Sequence, residues 1–98
     1  MNMREIQKMQ QRLVKMQEDL EKSKFTGTAG GGAVTITMTG KFEITDVKID
    51  PEAFSAEDIE ELEVMVKAAA KDAFDKATEA QQKLISNATG GIKIPGLF

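Results

Sequence analysis

The feature that most constrains this chain is a row of apolar residues in its first quarter. Five of them recur at alternating spacings of three and four: Ile6, Met9, Leu13, Met16 and Leu20. At about 100° per residue of an α-helix they form a strip roughly 80° wide. A second strip of similar width, about 130° away, is basic and comprises Arg4, Lys8, Arg12, Lys15 and Lys22. The pattern predicts one helix over about residues 3–23, with an apolar face for a partner helix and a separate basic face.

The basic strip has two interpretations. Most amphipathic helices bury one face and expose the other to water, and residues 1–24 also hold four acidic side chains that dilute the positive charge. Like charges four residues apart, such as those of Arg4 and Lys8, repel slightly unless an anion lies across them. The strip is therefore either a solvated face or an anion-binding face.

The length and composition limit the classes of function. A chain of 98 residues predicts one domain, over residues 1–98. It contains no cysteine and no histidine, and so lacks a thiolate metal site and the commonest general base. We therefore expect no enzyme, no cofactor, no metal and no small-molecule substrate. No apolar run approaches the ~20 residues of a membrane span, and no signal-peptide region is evident, which favours a cytoplasmic protein without a membrane partner.

Charge is distributed unevenly along the chain. The net charge is −3, but residues 52–63 hold six acidic side chains and no basic one, which leaves the rest of the chain net positive. An acidic total argues against a protein covered all over by nucleic acid. A local basic strip can still bind nucleic acid, so any such binding is expected in one region only.

Residues 25–49 have the pattern of an antiparallel sheet. Three strands are predicted, at about residues 25–28, 33–39 and 42–49. The middle strand alternates strictly, with threonines on one face and apolar Val34, Ile36 and Met38 on the other. Gly40 and Lys41 suit a two-residue type II′ turn, which requires positive φ at Gly40. The apolar phase shifts within the third strand and indicates a bulge near Asp46 or partial cover on both faces.

A second, long helix is predicted over about residues 55–87. Pro51 ends the last strand, and Ser55 followed by Asp58 resembles a capping box. Apolar residues then keep helical spacing, and alanines in the middle allow another element to approach closely. Residues 90–98 are an apolar tail. The predicted fold class is α+β, a two-layer α-β-β-β-α domain in which the strands form a three-stranded antiparallel sheet between long N- and C-terminal helices.

Motifs with ligand or catalytic chemistry are weak. The glycines between Gly27 and Gly32 lack the Lys-Ser/Thr of a phosphate loop, and a strand follows instead of a helix. Asp46 and Asp50 on a strand would lie about 13 Å apart, at ~3.3 Å per residue, too far to share a metal. Tyrosine and tryptophan are absent, and four phenylalanines are interpreted as core: Phe25, Phe42, Phe54 and Phe74. Any nucleic-acid partner is therefore expected to be a duplex bound by its phosphates.

Four segments together form a specific pattern, in the order MREIQKMQQRLVKMQEDLEK, TGTAGGGAVTITMTGKFEITDVKIDP, VKAAAKDAFDKA and GGIKIPGLF. They resemble the YbaB/EbfC family of bacterial nucleoid-associated proteins, and the likeness covers nearly the whole chain. It implies an α-β-β-β-α domain that forms a tight homodimer, with the first and last helices projecting as arms. It also implies binding of duplex DNA without a strict sequence code, organisation of the nucleoid, and a link to recombination-repair proteins or gene regulation. One departure is Thr39-Gly40, where many relatives carry Asn-Gly.

The resemblance supplies no catalytic motif, so the predicted site depends on charge. The residues expected to contact DNA phosphates are Arg4, Lys8, Arg12, Lys15 and Lys83. If the two helices run antiparallel, Lys83 lies at the same tip as the start of the first helix. The apolar strip from Ile6 to Leu20 is expected to serve dimer formation or packing.

Two alternatives remain at this point. In the first, the protein is an interaction module in DNA repair or replication assembly and does not bind DNA directly. In the second, it is an enzyme that uses carboxylates alone. The second is disfavoured, because no set of carboxylates converges in the sequence.

Overall fold

A computed structural model of the chain describes residues 2–88. The expected order of helix, three antiparallel strands and helix is the observed order. The elements are α1 (Met3–Lys22), β1 (Lys24–Ala29), β2 (Val34–Thr39), β3 (Ile44–Ile49), a short 3-10 helix (Ala56–Asp58) and α2 (Ile59–Ala88). The apolar tail expected at residues 90–98 lies outside the described residues. None of the helices in residues 2–88 combines the length and apolarity needed to cross a membrane.

Side chains cap the start of both helices. Before α1, the Asn2 side chain accepts a hydrogen bond from the Glu5 N–H at 2.9 Å. Before the 3-10 helix that leads into α2, the expected capping box is present: the Ser55 N–H donates to Oδ2 of Asp58 at 2.8 Å. This backbone hydrogen bond, together with one from the Ser55 hydroxyl, holds the pKa of Asp58 below its usual value. Both helices therefore begin where local side chains satisfy free N–H groups.

The sheet has the order β1-β2-β3, and both neighbouring pairs are antiparallel. Thr37 lies opposite Asp46, but Met38 lies opposite Ile44, so Thr45 is an extra residue on β3. This bulge confirms the prediction made near Asp46. It places the apolar residues of β3 on the same face as those of β2.

The hairpin between β2 and β3 differs from the prediction. The type II′ turn at Gly40 and Lys41 is wrong, because Gly40 does not have positive φ and Phe42 does, at 65°. The Phe42 N–H donates to the Thr39 carbonyl, and the Thr39 N–H donates to the Glu43 carbonyl, each at 2.9 Å. These bonds define a three-residue loop whose last residue is left-handed. Consequently β3 starts at Ile44, two residues later than predicted.

The core lies between α2 and the first two strands. Ala69, Ala73 and Ala77 of α2 and Val34 of β2 are each 0% exposed. The contact with β1 is so close that a Cβ added to Gly27 would collide with the backbone of α2 at Ala69 and Ala73. Small residues thus let the helix backbone lie directly on the sheet.

Two apolar regions lie outside this core. Among the described elements, β3 contacts only β2, and α1 contains no buried residue. The expected core position of Phe74 is also wrong: its side chain is 48% exposed and its ring centroid lies 4.9 Å from that of Phe42. For β3 and Phe74 the reason is that α2 covers β1 and β2 but leaves the third strand open.

Candidate nucleic-acid interface

α1 and the C-terminal part of α2 form an antiparallel pair, which we call the arm (Met3–Lys22 with residues 81–88). One cleft between the helices is lined by Ile6 and Asn87, and a second by Leu20 and Gln81. The start of α1 therefore lies beside the end of α2. The condition for a shared tip, stated from the sequence, is met.

The base of the arm is attached to the β2–β3 hairpin at Gly40. Nε2 of Gln81 donates to the Gly40 carbonyl at 2.7 Å, and the Gly40 N–H donates to the Ser23 carbonyl at 3.2 Å. A Cβ at Gly40 would collide with the Leu20 carbonyl oxygen. Glycine is required here by the close approach of α1 rather than by a positive φ.

The basic strip of α1 is open to solvent. The four residues predicted to contact DNA are all exposed: Arg4, Lys8, Arg12 and Lys15. Within residues 2–88, no carboxylate forms an ion pair with any of them, whereas lysines of β3 and α2 form four such pairs. These cations are consequently available to an external anion.

Two of the residues predicted to contact DNA, Arg12 and Lys83, have surroundings that differ from the prediction. Arg12 lines the first cleft together with Leu13, so it borders the apolar groove instead of lying fully opposite it. Lys83 belongs to the arm, but its Nζ lies 3.3 Å from Oε1 of Glu79. Because both side chains are largely exposed, this pair is weak and competes little with phosphate.

The acidic residues lie at the opposite end of α2. Glu60 and Glu61 are in its first turn. From Glu60 to Lys83 the helix rises about 35 Å, at 1.5 Å per residue. Since charges are largely screened beyond about 8 Å at physiological salt, the acidic turns do not cancel the positive field of the arm.

Charged side chains of α2 cover the outer edge of β1, a feature that the sequence analysis missed. The Thr28 N–H donates to Oδ2 of Asp72 at 3.1 Å, and Nζ of Lys76 donates to the Thr26 carbonyl at 2.8 Å. The backbone bond from Thr28, followed by the bond and charge of Lys76, lowers the pKa of Asp72. The four-residue spacing of Asp72 and Lys76 is a sequence signal for an ion pair on a helix, but it carries no information about contact with a strand.

β3 presents an exposed apolar surface that the sequence analysis also missed as a site. Its residues Ile44, Val47 and Ile49 are 55%, 48% and 42% exposed, and the exposed Phe74 of α2 packs against Phe42, two residues before the strand begins. We call these four residues the β3 surface. No side chain in residues 2–88 bonds to the outer edge of this strand as Asp72 and Lys76 do on β1. The only sequence signal was the phase shift, which the bulge converts into one continuous face.

An elongated α-β-β-β-α protein with an exposed, unpaired basic helix has the features of an electrostatic nucleic-acid-binding protein. A model of the YbaB/EbfC DNA-binding family matches residues 1–92. The chain belongs to this family.

Relatives agree with that assignment, and a solved structure shares the fold. The chain is 41% identical to a nucleoid-associated protein of Dictyoglomus turgidum, over 98% of this chain and 93% of that protein. It is 43% identical to one from Pelotomaculum thermopropionicum, over 98% and 91% of the two chains. The crystal structure of the uncharacterized protein HP0035 from Helicobacter pylori has a TM-score of 0.74 at 23% identity, covering 92% of this chain and 99% of that one. This last comparison shows the fold alone.

Proposed function

We propose that this protein is a nucleoid-associated homodimer that binds duplex DNA, largely without sequence specificity, through the basic strip of its arm. The residues proposed to contact phosphate are Arg4, Lys8, Arg12, Lys15 and Lys83. The observation that carries the proposal is the row of exposed cations on α1 without ion-pair partners among the described residues. Family membership and the names of the relatives support DNA as the partner and the nucleoid as the location.

The mechanism is neutralisation of phosphates with release of counterions. From Arg4 to Lys15 the row extends about 16 Å along the helix, at 1.5 Å per residue, so its cations can engage several successive phosphates. Contacts to phosphate fix the position of a protein on a duplex but carry no base information. Binding is therefore expected to depend strongly on salt and only weakly on sequence.

We propose that the second subunit covers the β3 surface. Exposed strand edges pair readily with other chains unless they are blocked, and in this chain β1 is blocked by Asp72 and Lys76. β3 combines an edge without such side chains and an adjoining apolar face. The same face on a second copy matches it chemically, because a two-fold interface brings identical patches together.

A dimer joined in this way would carry two arms, each with its own basic strip. Two separated phosphate-binding strips can hold two segments of DNA or bend one, and this is how we propose that the protein organises the nucleoid. The apolar strip of the arm remains a prediction as a dimer or packing surface, for Ile6, Met9, Leu13, Met16 and Leu20.

The test is a matched pair of fourfold variants. In the arm variant, the four α1 cations are replaced by glutamine: Arg4, Lys8, Arg12 and Lys15. In the control variant, four exposed lysines elsewhere are replaced by glutamine: Lys24, Lys41, Lys48 and Lys67. Both variants have the same net charge, so the comparison isolates position from total charge. Affinity for a random-sequence 30-base-pair duplex is measured by fluorescence anisotropy, and helical content by circular dichroism.

We expect the arm variant to lose DNA binding by at least about 100-fold with unchanged helicity, and the control to lose less than about tenfold. Equal losses would mean that total charge and not the arm governs binding. If the parent protein fails to bind DNA but captures a repair or replication protein, the alternative of a protein-interaction module takes precedence.

A further inference from the structure

The two clefts of the arm form one continuous apolar groove. They have volumes of about 330 and 390 Å³ and share Leu13. We call this the arm groove, and its apolar lining residues are Ile6, Met9, Leu13, Met16, Leu20, Leu84 and Ile85. Along α1 it extends from Ile6 to Leu20, about 21 Å at 1.5 Å per residue. Leu13, at its centre, is 41% exposed, so the groove is open in the described part of the chain.

The segment that follows α2 starts at one end of the arm groove. α2 is described as far as Ala88, and Asn87 lines the end of the groove near Ile6. Residues 89–98 follow. Seven residues, 92–98, span about 20 Å when extended, at ~3.3 Å per residue, which matches the length of the groove.

The composition of the following segment also fits the groove. Ile92, Ile94, Leu97 and Phe98 are apolar, and Lys93 is its one charged side chain. Proline at position 95 favours an extended backbone, and the pair Gly90-Gly91 gives the freedom to reverse direction after a helix. An extended strip with alternate apolar side chains is suited to a narrow apolar groove.

We propose that residues 92–98 bind in the arm groove of the same chain and run back along the arm toward Gly40. The segment covers the apolar strip of α1 and joins the two helices. Arg12 borders the groove, whereas Arg4, Lys8 and Lys15 do not line it and stay free. A second copy is a less suitable occupant, because the β3 surface already offers it a separate and unblocked interface.

The test uses thiol accessibility, since the chain contains no cysteine. Leu13→Cys places a single thiol in the groove, and its alkylation rate is measured with N-ethylmaleimide. The rate is compared with that of the same variant in which four tail residues are changed to serine: Ile92, Ile94, Leu97 and Phe98. We expect at least about fivefold faster alkylation without the apolar tail, which corresponds to a groove covered about four-fifths of the time.

Gln11→Cys, on the exposed side of α1, is the matched control and should react at the same rate with either tail. Equal alkylation rates of Leu13→Cys with the two tails would overturn the proposal. A second variant, Leu13→Cys with Leu97→Cys, is treated with a short thiol–thiol cross-linker. A cross-link within one chain supports the proposal, whereas a covalent dimer overturns it in favour of a second copy. The experiment contains no DNA, so its outcome is independent of the proposed DNA binding.

Discussion

α2 takes part in two regions that are packed in opposite ways. Over the sheet it contributes alanines with 0% exposure, at Ala69, Ala73 and Ala77. In the arm it meets a helix of larger apolar residues, yet α1 has no buried residue and Met9 is 48% exposed. Apolar size therefore does not decide burial in this chain. Burial depends instead on whether another element covers the face, as β1 and β2 cover the alanine face of α2.

This difference in packing distinguishes two kinds of region. In the body, which is α2 with β1 and β2, the apolar faces of the three elements cover one another. The arm groove and the β3 surface are not covered by the described residues, and large exposed apolar patches usually mark binding sites. The predictions below test this division, beginning with the body.

Gly27→Val should have the largest effect. The new side chain must displace the backbone of α2 at Ala69 and Ala73. We expect a loss of at least about 3 kcal/mol in the free energy of unfolding, measured by urea denaturation, because overpacking against backbone cannot relax by rotamer changes. Gly31→Ala is the control: its φ is 67° but no atom lies within 4 Å of the new Cβ, so about 1 kcal/mol is expected. Similar losses in the two variants would contradict the close-packed body.

Val47→Asp tests the β3 surface. A charge at the centre of a dimer interface should raise the dissociation constant at least about 100-fold, as for other central apolar positions. Val64→Asp makes the same change at a residue that is 67% exposed on α2 and outside the β3 surface. Sedimentation equilibrium should show monomers for the first variant and dimers for the second. Two dimeric variants would place the dimer interface elsewhere, with the apolar strip of α1 as the next candidate.

The salt dependence of DNA binding tests whether the arm acts by charge alone. If about four cations of a dimer engage phosphates, log K should fall with log salt at a slope near −3 to −4, at ~0.9 per phosphate. Titration of random and palindromic duplexes at two salt concentrations measures it. A complex that survives high salt and discriminates single base changes more than tenfold would show direct base readout instead.

The predictions that succeeded rest on local periodicity. The spacing of the α1 strip predicted its helix, and the alternation around Ile36 predicted β2. The phase shift indicated a bulge near Asp46 or partial cover on both faces, and a bulge is observed at Thr45. The capping box at Ser55 is equally local. Each of these features depends on residues only a few positions apart, which is the range over which a sequence pattern carries geometric information.

The predictions that failed depend on distant contacts. Gly40 has the residue type of a hairpin turn, but its lack of a Cβ serves the approach of α1 at Leu20, and Phe42 takes the left-handed conformation. Similarly, the apolar face of β3 has the pattern of a covered strand, yet α2 covers only β1 and β2. The sequence pattern shows that a face is apolar, but it does not show which element or which chain covers that face. The basic strip of α1 was visible in the sequence, but only the structure shows that no carboxylate within residues 2–88 forms an ion pair with Arg4, Lys8, Arg12 or Lys15.

The smallest effect is expected at the covered edge of β1. Asp72→Asn keeps an oxygen that can accept from Thr28 but removes the charge opposite Lys76. Because folding lowers the pKa of Asp72, its stabilising contribution is present above the unfolded value near 3.8 and is lost as pH falls through the lower folded value. The melting temperature of the parent should therefore exceed that of the variant at pH 6, and the gap should close toward pH 2. Asp75→Asn, which breaks an exposed pair with Lys71 that does not contact the strand, should change the melting temperature less at pH 6. A gap for Asp72→Asn that stays constant from pH 6 to pH 2 would show that its charge does not hold the edge.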